Sequence, residues 1–254
     1  MADEVLLERD GATLIITMNR TEVRNAANGA LARGVADALD RLDEDHSLVT
    51  AVLTGAGGTF SSGMDLKAFL TGDTPDIPGR GLLGFTACPP VKPIIAAVEG
   101  YALAGGCEIA LACDLIVAAR DARFGLPETK RGLVAGGGGL LRLPQRIPRG
   151  IALEYALTGD QFGAEEASRW GMVNRLTEPG GALAAARELA GRIAANGPLA
   201  VCATKQIVAE AGEWPATEQW ERQRVVTDPV FASADAVEGA RAFAEKRQPV
   251  WSGR

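Results

Sequence analysis

The stretch AAVEGYALAGGCEIALACD, residues 96–114, lies at the centre of the pattern that decides the fold. Residues 93–98 form a short apolar run that predicts a buried strand, and residues 114–119 form a second run of this kind. Between them, residues 105–112 combine two glycines with an apolar segment that predicts a buried helix. Alternation of buried strands with a helix indicates an α/β core.

The residues before this stretch predict a unit of two strands and a helix. Residues 5–18 predict a β-hairpin around the turn dipeptide Asp10-Gly11. An amphipathic helix is predicted over residues 29–45, where apolar residues recur at helical spacing: Leu31, Val35, Leu39 and Leu42. A strand is expected at residues 51–54, a helix begins at about residue 65, and residues 71–81 predict a mobile surface loop.

The residues after the central stretch are predicted to be mostly helical. Helices are expected over residues 149–157, 164–170 and 182–195, and nearly the whole chain from Pro198 to residue 246 has helical character. We place a boundary between an α/β core that holds the functional site, residues 1–192, and a helical region, residues 193–254. The apolar content of that region indicates packing on the core or on another subunit.

Composition and charge disfavour several classes of protein. With 26 Lys+Arg against 32 Asp+Glu, the net charge of −6 disfavours nucleic acid as a partner, because such binding needs clustered cations. The apolar residues 94–119 contain Glu99, Glu108 and Asp114 and are unsuited to spanning a membrane. The N-terminus lacks the pattern of a signal peptide. We therefore expect a cytoplasmic protein with no membrane partner.

The sequence does not predict a metal site or a histidine-dependent nucleophile. The four cysteines form no CxxC pair, and the single histidine, His46, lies among acidic residues in a polar segment. A zinc site, a disulfide framework and a Ser-His-Asp triad are therefore disfavoured. Any chemistry is expected to use carboxylates, backbone groups or a cofactor.

Four glycine-rich segments have different interpretations. Residues 55–60 lack the third glycine of a dinucleotide-binding loop. Residues 136–139 are not followed by the Lys-Ser/Thr of a phosphate-binding loop, so they predict a tight turn with close backbone approach. Residues 61–66 and 104–106 each lead into a helix. They are either plain strand-to-helix turns or sources of free N–H groups that form an oxyanion hole.

Glu108 and Glu128 stand in apolar surroundings and need an explanation. Glu108 lies in the predicted buried helix, where it is either a first-turn acid stabilised by the helix dipole or a functional carboxylate. Glu128 follows Pro127 at the exit of an apolar strand and is either a solvent-facing acid near a helix N-cap or a functional carboxylate. Two carboxylates near an apolar pocket are suited to moving protons or positioning water.

Six motifs of the chain, taken together, resemble the enoyl-CoA hydratase/isomerase (crotonase) superfamily in order and spacing. They are NRTEVRNAAN (19–28), FSSGMDL (60–66), AAVEGYALAGGCEIALACD (96–114), FGLPETKRGL (124–133), LTGDQFGAEEASRWGMVNRL (157–176) and FAEKRQPVWSGR (243–254). The resemblance implies an α/β spiral of ββα turns, followed by a helical C-terminal region used for trimer formation. It also implies an acyl-CoA thioester as substrate and a homotrimer or homohexamer as the assembly.

The resemblance assigns roles to individual residues. The backbone N–H groups of Met64 and Gly105 would bind the thioester oxygen, and Glu108 and Glu128 would be the two catalytic carboxylates. Six further residues would lie along the CoA moiety, several of them contacting it through backbone atoms: Val23, Arg24, Ser62, Gly63, Asp65 and Leu66.

The function implied is that of an enoyl-CoA hydratase, which adds water reversibly to a trans-2-enoyl-CoA, as in the β-oxidation of fatty acids. No metal is implied, and no cofactor apart from the CoA of the substrate. Phe69, Leu70 and residues 71–81 are expected to wall the acyl pocket. Two alternatives stay open: a related lyase or isomerase similar to carnitinyl-CoA dehydratase, and a non-catalytic acyl-CoA-binding protein.

Overall fold

The structure of the chain is a computed structural model that describes residues 3–254. The strands are β1 (Val5–Asp10), β2 (Thr13–Met18), β3 (Thr50–Gly55), β4 (Asp76–Ile77), β5 (Gly81–Leu82), β6 (Ile94–Val98), β7 (Tyr101–Leu103), β8 (Leu115–Ala119), β9 (Arg123–Gly125), β10 (Gln161–Gly163) and β11 (Arg175–Thr177). The helices are α1 (Gly29–Glu44), α2 (Leu66–Leu70), α3 (Gly105–Ala112), α4 (Gly139–Arg146), α5 (Arg149–Thr158), α6 (Ala164–Arg169), α7 (Ala182–Ala194), α8 (Pro198–Glu210), α9 (Gln219–Phe231) and α10 (Ala234–Glu245). The α/β class predicted from the sequence is confirmed.

A six-stranded sheet forms the centre of the fold, in the order β1, β2, β3, β6, β8, β11. The predicted hairpin is confirmed, because β1 and β2 pair antiparallel, whereas the other neighbouring strands pair parallel. Side chains alternate between the two faces of the sheet. On one face Ile16 and Ala96 pack with residues of α1 and α3, and on the other Ile15 and Val52 pack against α7.

Helix α1 forms where the sequence predicts it. Asn28 caps its N-terminus, since its Oδ1 accepts a hydrogen bond from the Leu31 N–H at 2.8 Å. The apolar residues at helical spacing are buried: Leu31, Val35, Leu39 and Leu42. Helix α3 also has the predicted bounds, and all of its residues are buried, so Glu108 is carried into the interior.

A second, three-stranded sheet is formed by β7, β9 and β10. Strand β7 pairs parallel with β9, which places Ala102 opposite Phe124. Ser61 forms an isolated parallel bridge to Ala102. The Ser61 N–H donates a hydrogen bond to the Tyr101 carbonyl, and the Leu103 N–H donates one to the Ser61 carbonyl. Three parallel segments of chain, around Ser61, Ala102 and Phe124, therefore lie side by side.

These three parallel segments end at one edge of the small sheet. Met64 lies three residues after the first bridging position, Gly105 three residues after the second, and Glu128 four residues after the third. The carboxyl ends of parallel strands meet at the same edge of a sheet. The topology thus brings together residues that are far apart in the sequence.

The structure corrects several predictions of secondary structure. Residues 71–81 are not wholly a loop, because β4 pairs antiparallel with β5. The apolar strand expected before Pro127 is found as β9, but the sequence does not predict β4, β5, β7, β10 or β11, since strands of two or three residues are too short to show an alternating pattern. It also misses α4, where four glycines precede the helix and Pro144 lies within it.

Helices α8 to α10 and the C-terminal tail form the last part of the chain. The tail folds back on the helices: the Trp251 indole donates a hydrogen bond to the Ala195 carbonyl at 2.8 Å, and Asp235 accepts one from the Gly253 N–H at 3.0 Å. The boundary expected between residues 192 and 193 falls in the last turn of α7 and stays a prediction. No helix within residues 3–254 is long and apolar enough to cross a membrane.

Candidate active site

Two backbone N–H groups, those of Met64 and Gly105, lie near each other at the edge of the small sheet. A Cβ atom built on Gly105 would lie 3.5 Å from the Met64 nitrogen, and one built on Gly63 would lie 3.0 Å from the Gly105 nitrogen. Neither N–H donates a hydrogen bond to an atom of residues 3–254. The pair therefore offers two free donors to one acceptor.

A residue with positive φ precedes each of these donors. Gly63 has a φ of 98°, and Ala104 has a φ of 52° with a ψ of −128°. Glycine adopts such conformations at little cost, whereas alanine is strained in them. The strain at Ala104 accompanies the sharp change of direction between β7 and α3, which leaves the Gly105 N–H unpaired.

Glu108 lies in the first turn of α3 and is 3% exposed. Its Oε1 accepts a hydrogen bond from the Gly139 N–H at 2.9 Å, so the carboxylate also meets the N-terminus of α4. A Cβ on Gly137 would lie 2.8 Å from Oε2, and one on Gly139 would lie 2.8 Å from Cγ. The glycines of residues 136–139 thus form a tight turn around the Glu108 carboxylate.

The surroundings of Glu108 favour its protonated form. Burial raises the pKa of Glu108 to about 7, and the negative charge of Glu128 adds to this rise. The N–H groups of Gly139 and Gly137 and the positive charge of Arg142 oppose it. A carboxyl group with a pKa near neutrality is suited to both accepting and donating a proton. Glu108 therefore combines the position of a first-turn acid with the properties of a proton-transfer group.

Glu128 follows β9 in a short 3-10 helix that begins at Pro127. Its side chain is half-buried, and its Oε2 atom is buried without a hydrogen-bond partner in the described part of the chain. Burial raises the pKa of Glu128, and the positive charge of Arg131 offsets this only in part. An unpartnered buried carboxyl oxygen is costly, so it marks a candidate functional position.

The Leu82 side chain lies close both to the Gly105 backbone and to the turn around the Glu108 carboxylate. Its Cδ2 atom lies 3.1 Å from the place of a Cβ built on Gly105 and 2.8 Å from that of a Cβ built on Gly137. The Glu108 Oε2 atom lies 2.8 Å from the same point beside Gly137. The Gly105 backbone and the Glu108 carboxylate therefore both lie near the Leu82 side chain. The sequence does not single out Leu82, because it belongs to the two-residue strand β5.

An apolar cavity of about 510 Å³ opens beside Glu128, between the 3-10 helix, α4 and α5. The residues that line it are Leu126, Glu128, Thr129, Val134, Ala135, Leu140, Leu143, Pro144, Arg149, Ala152, Leu153, Ala156 and Leu157. Its volume is in the range of small-molecule sites. Phe69 and Leu70, which are expected to wall the acyl pocket, are exposed on α2 and do not line this cavity.

Three of the residues expected to contact CoA lie together at the surface. The Ser62 N–H donates a hydrogen bond to the Arg24 carbonyl at 3.0 Å, and the Ser62 hydroxyl donates one to the Val23 carbonyl at 3.2 Å. Arg24 and Ser62 line a depression of about 180 Å³ together with Tyr101, Leu103 and Gln161. The Arg24 guanidinium lies 6.0 Å from the centre of the Tyr101 ring.

Asp65, Leu66 and Gly63 have different surroundings. The Asp65 carboxylate accepts a hydrogen bond from the Ala68 N–H at the start of α2 and pairs with Arg20 at 3.1 Å. Partial burial acts in the opposite direction, but the hydrogen bonds from Ala68 and Arg20 hold the pKa of Asp65 below its usual value. Asp65 is thus fixed as a charged helix cap. Leu66 is exposed beside it, and Gly63 lies between the two free donors.

Other reactive groups near the site do not add to it. Within residues 3–254, no three or more His, Cys, Asp or Glu side chains are grouped in a way that could hold a metal ion. Cys107 precedes Glu108, and burial raises its pKa to about 12, so it is an uncharged thiol. The polar groups that the fold assembles here are therefore two carboxyls and two N–H groups.

Comparison with known proteins decides the family. Residues 8–254 match the family model described as "Enoyl-CoA hydratase/isomerase". The chain belongs to the enoyl-CoA hydratase/isomerase family. Its curated relatives include a carnitinyl-CoA dehydratase of Escherichia coli, which is 43% identical over 263 residues, with both chains covered in full (100% each).

Solved structures of this family are similar to the chain over its whole length. An enoyl-CoA hydratase from Mycobacterium marinum is 60% identical with a TM-score of 0.98, and the match covers 99% of this chain and 100% of the other. A carnitinyl-CoA hydratase from Mycobacterium avium is 43% identical with a TM-score of 0.80, and both chains are covered in full (100% each). The crotonase fold expected from the resemblance is confirmed, and the chain is a member of a superfamily that processes acyl-CoA thioesters.

Proposed function

We propose that the chain is an enoyl-CoA hydratase, a hydro-lyase that adds water reversibly to a trans-2-enoyl-CoA and forms a 3-hydroxyacyl-CoA. The observation that carries this proposal is the arrangement of Glu108 and Glu128. Both carboxyls have raised pKa values; Glu108 lies in the first turn of the helix that begins at the free N–H group of Gly105, and Glu128 borders an apolar cavity. Proton transfer, charge stabilisation and an acyl site are thereby provided together.

In this proposal the N–H groups of Met64 and Gly105 bind the thioester oxygen. Attack of water at C3 of the enoyl group moves an electron pair toward that oxygen, so an enolate develops in the transition state. Two unpaired N–H donors stabilise the developing charge more than they stabilise the uncharged ground state. Because the fold already holds the donors in place, no reorganisation is needed at the moment of reaction.

Glu108 and Glu128 each transfer one proton, and the second proton of the water stays on the new 3-hydroxyl group. Glu108 orients the water and takes one proton as the C3–O bond forms, while Glu128 delivers a proton to C2 as the enolate collapses. The two carboxyls exchange these roles in dehydration. Burial raises the pKa of both carboxyls toward the range in which a group can accept or donate a proton near neutral pH.

The proposal extends to the remaining predicted residues and to the assembly. The CoA moiety lies along the surface formed by Val23, Arg24, Ser62, Gly63, Asp65 and Leu66. The chain functions as a homotrimer or homohexamer in the cytoplasm, and CoA is present only as part of the substrate, with no metal. Support for the CoA site comes from the depression that Arg24 and Ser62 line.

A dehydratase of carnitinyl-CoA is the second candidate, because curated relatives with that name are 43% identical to the chain. It uses the same reacting groups on a different acyl chain. A non-catalytic acyl-CoA-binding protein is the third candidate, but the retention of both glutamates and of two unpaired N–H donors disfavours it.

The proposal is tested by the loss of conjugated-enoyl absorbance when the purified protein meets a short and a long trans-2-enoyl-CoA. We expect rapid hydration by the native chain and a loss of orders of magnitude in Glu108→Gln and Glu128→Gln, with the affinity for a saturated acyl-CoA nearly unchanged. Glu210→Gln, on the exposed surface of α8, is the matched control.

Two outcomes contradict the proposal. Near-normal turnover in either glutamate variant removes the assigned roles. Migration of the double bond in a 3-enoyl-CoA, without hydration of the 2-enoyl ester, assigns an isomerase instead.

A further inference from the structure

The chemistry of the cavity beside Glu128 restricts the acyl chains that fit it. Ten of its thirteen lining residues are apolar, and none is aromatic. The polar ones are Glu128, Thr129 and Arg149. An acyl chain that enters this cavity therefore exchanges water for hydrocarbon on most of its surface, which favours an uncharged chain.

A quaternary ammonium group finds no aromatic partner in this lining. Proteins recognise such groups with the faces of aromatic rings or with carboxylates. The lining contains no aromatic ring, and its one carboxyl, Glu128, already faces the positive charge of Arg131. Removal of a cation from water into an apolar cavity without an opposite charge is strongly unfavourable.

Arg149 adds a positive charge to the same cavity. It is the first residue of α5, it is exposed, and its guanidinium forms no hydrogen bond or ion pair with any of residues 3–254 that would neutralise it. A cation at this position repels a second cation in the cavity. The geometry thus opposes a cationic acyl group through both the missing aromatic ring and the like charge.

We infer that the acyl site accepts hydrocarbon acyl chains and excludes chains that end in a quaternary ammonium group, and that Arg149 is a specificity-determining residue. This inference rests on the proposed function, because it takes the cavity beside Glu128 as the acyl site. It separates the chain from those relatives whose printed names include carnitinyl-CoA.

The first experiment compares two thioesters of equal shape. The esters are 4-trimethylammonio-but-2-enoyl-CoA and 5,5-dimethylhex-2-enoyl-CoA, in which a tert-butyl group replaces the trimethylammonium group. We expect kcat/KM for the uncharged ester to exceed that for the cationic ester by at least tenfold. Equal values, or a preference for the cationic ester, would overturn the inference.

Arg149→Met tests the role of the arginine, because methionine removes the charge and keeps an apolar side chain. We expect the preference for the uncharged ester to fall at least threefold in Arg149→Met and to persist in Arg149→Lys. The matched control is Arg192→Met, on the exposed surface of α7 and outside the cavity. An unchanged preference in Arg149→Met removes the specificity role of Arg149.

Binding of the saturated esters keeps this test independent of turnover. Calorimetry with 5,5-dimethylhexanoyl-CoA and 4-trimethylammoniobutanoyl-CoA measures the discrimination even if neither unsaturated ester is hydrated. Tighter binding of the uncharged ester supports the inference, and equal binding overturns it. Failure of hydration with both unsaturated esters, and with the straight-chain esters, counts instead against the proposed function.

Discussion

At the scale of single residues, Glu108 shows how the site opposes stability. The carboxyl is buried, and burial raises its pKa to about 7 in the folded chain, against the ordinary value of 4.5 for a free glutamate. Between these two values the folded chain retains a proton that the unfolded chain releases. Glu108 therefore lowers the free energy of unfolding progressively as the pH rises through this window, and its contribution is most favourable below pH 4.5.

Glu108→Gln is expected to stabilise the fold at alkaline pH while abolishing the proposed reaction. Glutamine cannot ionise, and its carbonyl oxygen can still accept the hydrogen bond from Gly139. We expect the stability of the variant relative to the native chain to increase by about 1–3 kcal/mol between pH 5 and pH 8. Urea unfolding at the two pH values measures this difference. Glu210→Gln is the control, and an equal difference at both pH values contradicts the prediction.

Ala104→Gly is expected to relieve strain without moving the Gly105 N–H. The φ of 52° at Ala104 costs about 1–3 kcal/mol for a residue with a Cβ atom, and glycine removes this cost. Glycine also makes the unfolded chain more flexible, which lowers the free energy of unfolding by about 0.5–1 kcal/mol. We expect a net stabilisation of about 1 kcal/mol with turnover retained. The urea midpoint and the hydration rate test this, and a destabilised variant would show that Ala104 is unstrained.

Single residues also show what the sequence can disclose. Glu108 and Glu128 can be found because a carboxylate in apolar surroundings is unusual in itself. Leu82 cannot be found in this way, because a buried leucine is ordinary and its importance comes only from its contacts with two glycine backbones. The strain at Ala104 cannot be predicted from the sequence either, because an alanine gives no indication that its φ is positive.

At the scale of elements, the turn of residues 136–139 and helix α4 fix the position of the Glu108 carboxylate. A side chain on this turn would occupy the space of the carboxylate, since a Cβ on Gly137 would approach both Oε2 and the side chain of Leu82. Gly139 supplies the hydrogen bond. The element thus depends on backbone atoms, and its glycines have a function that no side chain can replace.

Gly137→Ala and Gly139→Ala are expected to displace the Glu108 carboxylate. We expect each to lower the hydration kcat by at least tenfold and to cost about 1–3 kcal/mol of stability, because the added methyl group has no free space. Gly191→Ala is the matched control, since nothing lies within 4 Å of a Cβ on that helical glycine. Full activity in both turn variants would contradict the assigned role of the turn.

The elements differ in how well the sequence predicts them. Helices α1 and α3 were predicted to within one residue, because one has a regular apolar face and a cap, and the other a compact apolar run. Strands β7 and β10 of the small sheet are not predicted, because they are held by pairing with segments distant in the sequence and show no pattern of their own. The residues of the site were therefore predictable from the sequence, but the edge of the small sheet that brings them together was not.

At the scale of the whole molecule, the C-terminal helices leave a large apolar surface. Five large apolar residues of α8 to α10 are more than two-thirds exposed: Val208, Trp220, Val225, Phe231 and Phe243. Surfaces of this kind usually mark an interface. This surface supports the proposed assembly, whose subunits have a mass of 26.5 kDa.

Light scattering is expected to give three or six times the mass of one chain. Phe231→Lys places a charge on the apolar surface and should shift the native chain toward smaller species. Val91→Lys is the control, because Val91 is also exposed but lies outside the C-terminal helices. A clean monomer in the native chain would contradict the assembly prediction.

The three parallel segments that pair at Ser61, Ala102 and Phe124 have a consequence for how such a protein can diversify. Their mutual spacing is that of neighbouring strands, about 4.8 Å, and backbone hydrogen bonds fix it whatever the side chains are. The acyl cavity is built from α4, α5 and the 3-10 helix, outside this frame. Exchange of those helical segments between related chains should therefore transfer acyl preference and leave the reacting groups in register, which makes them natural units for redesign.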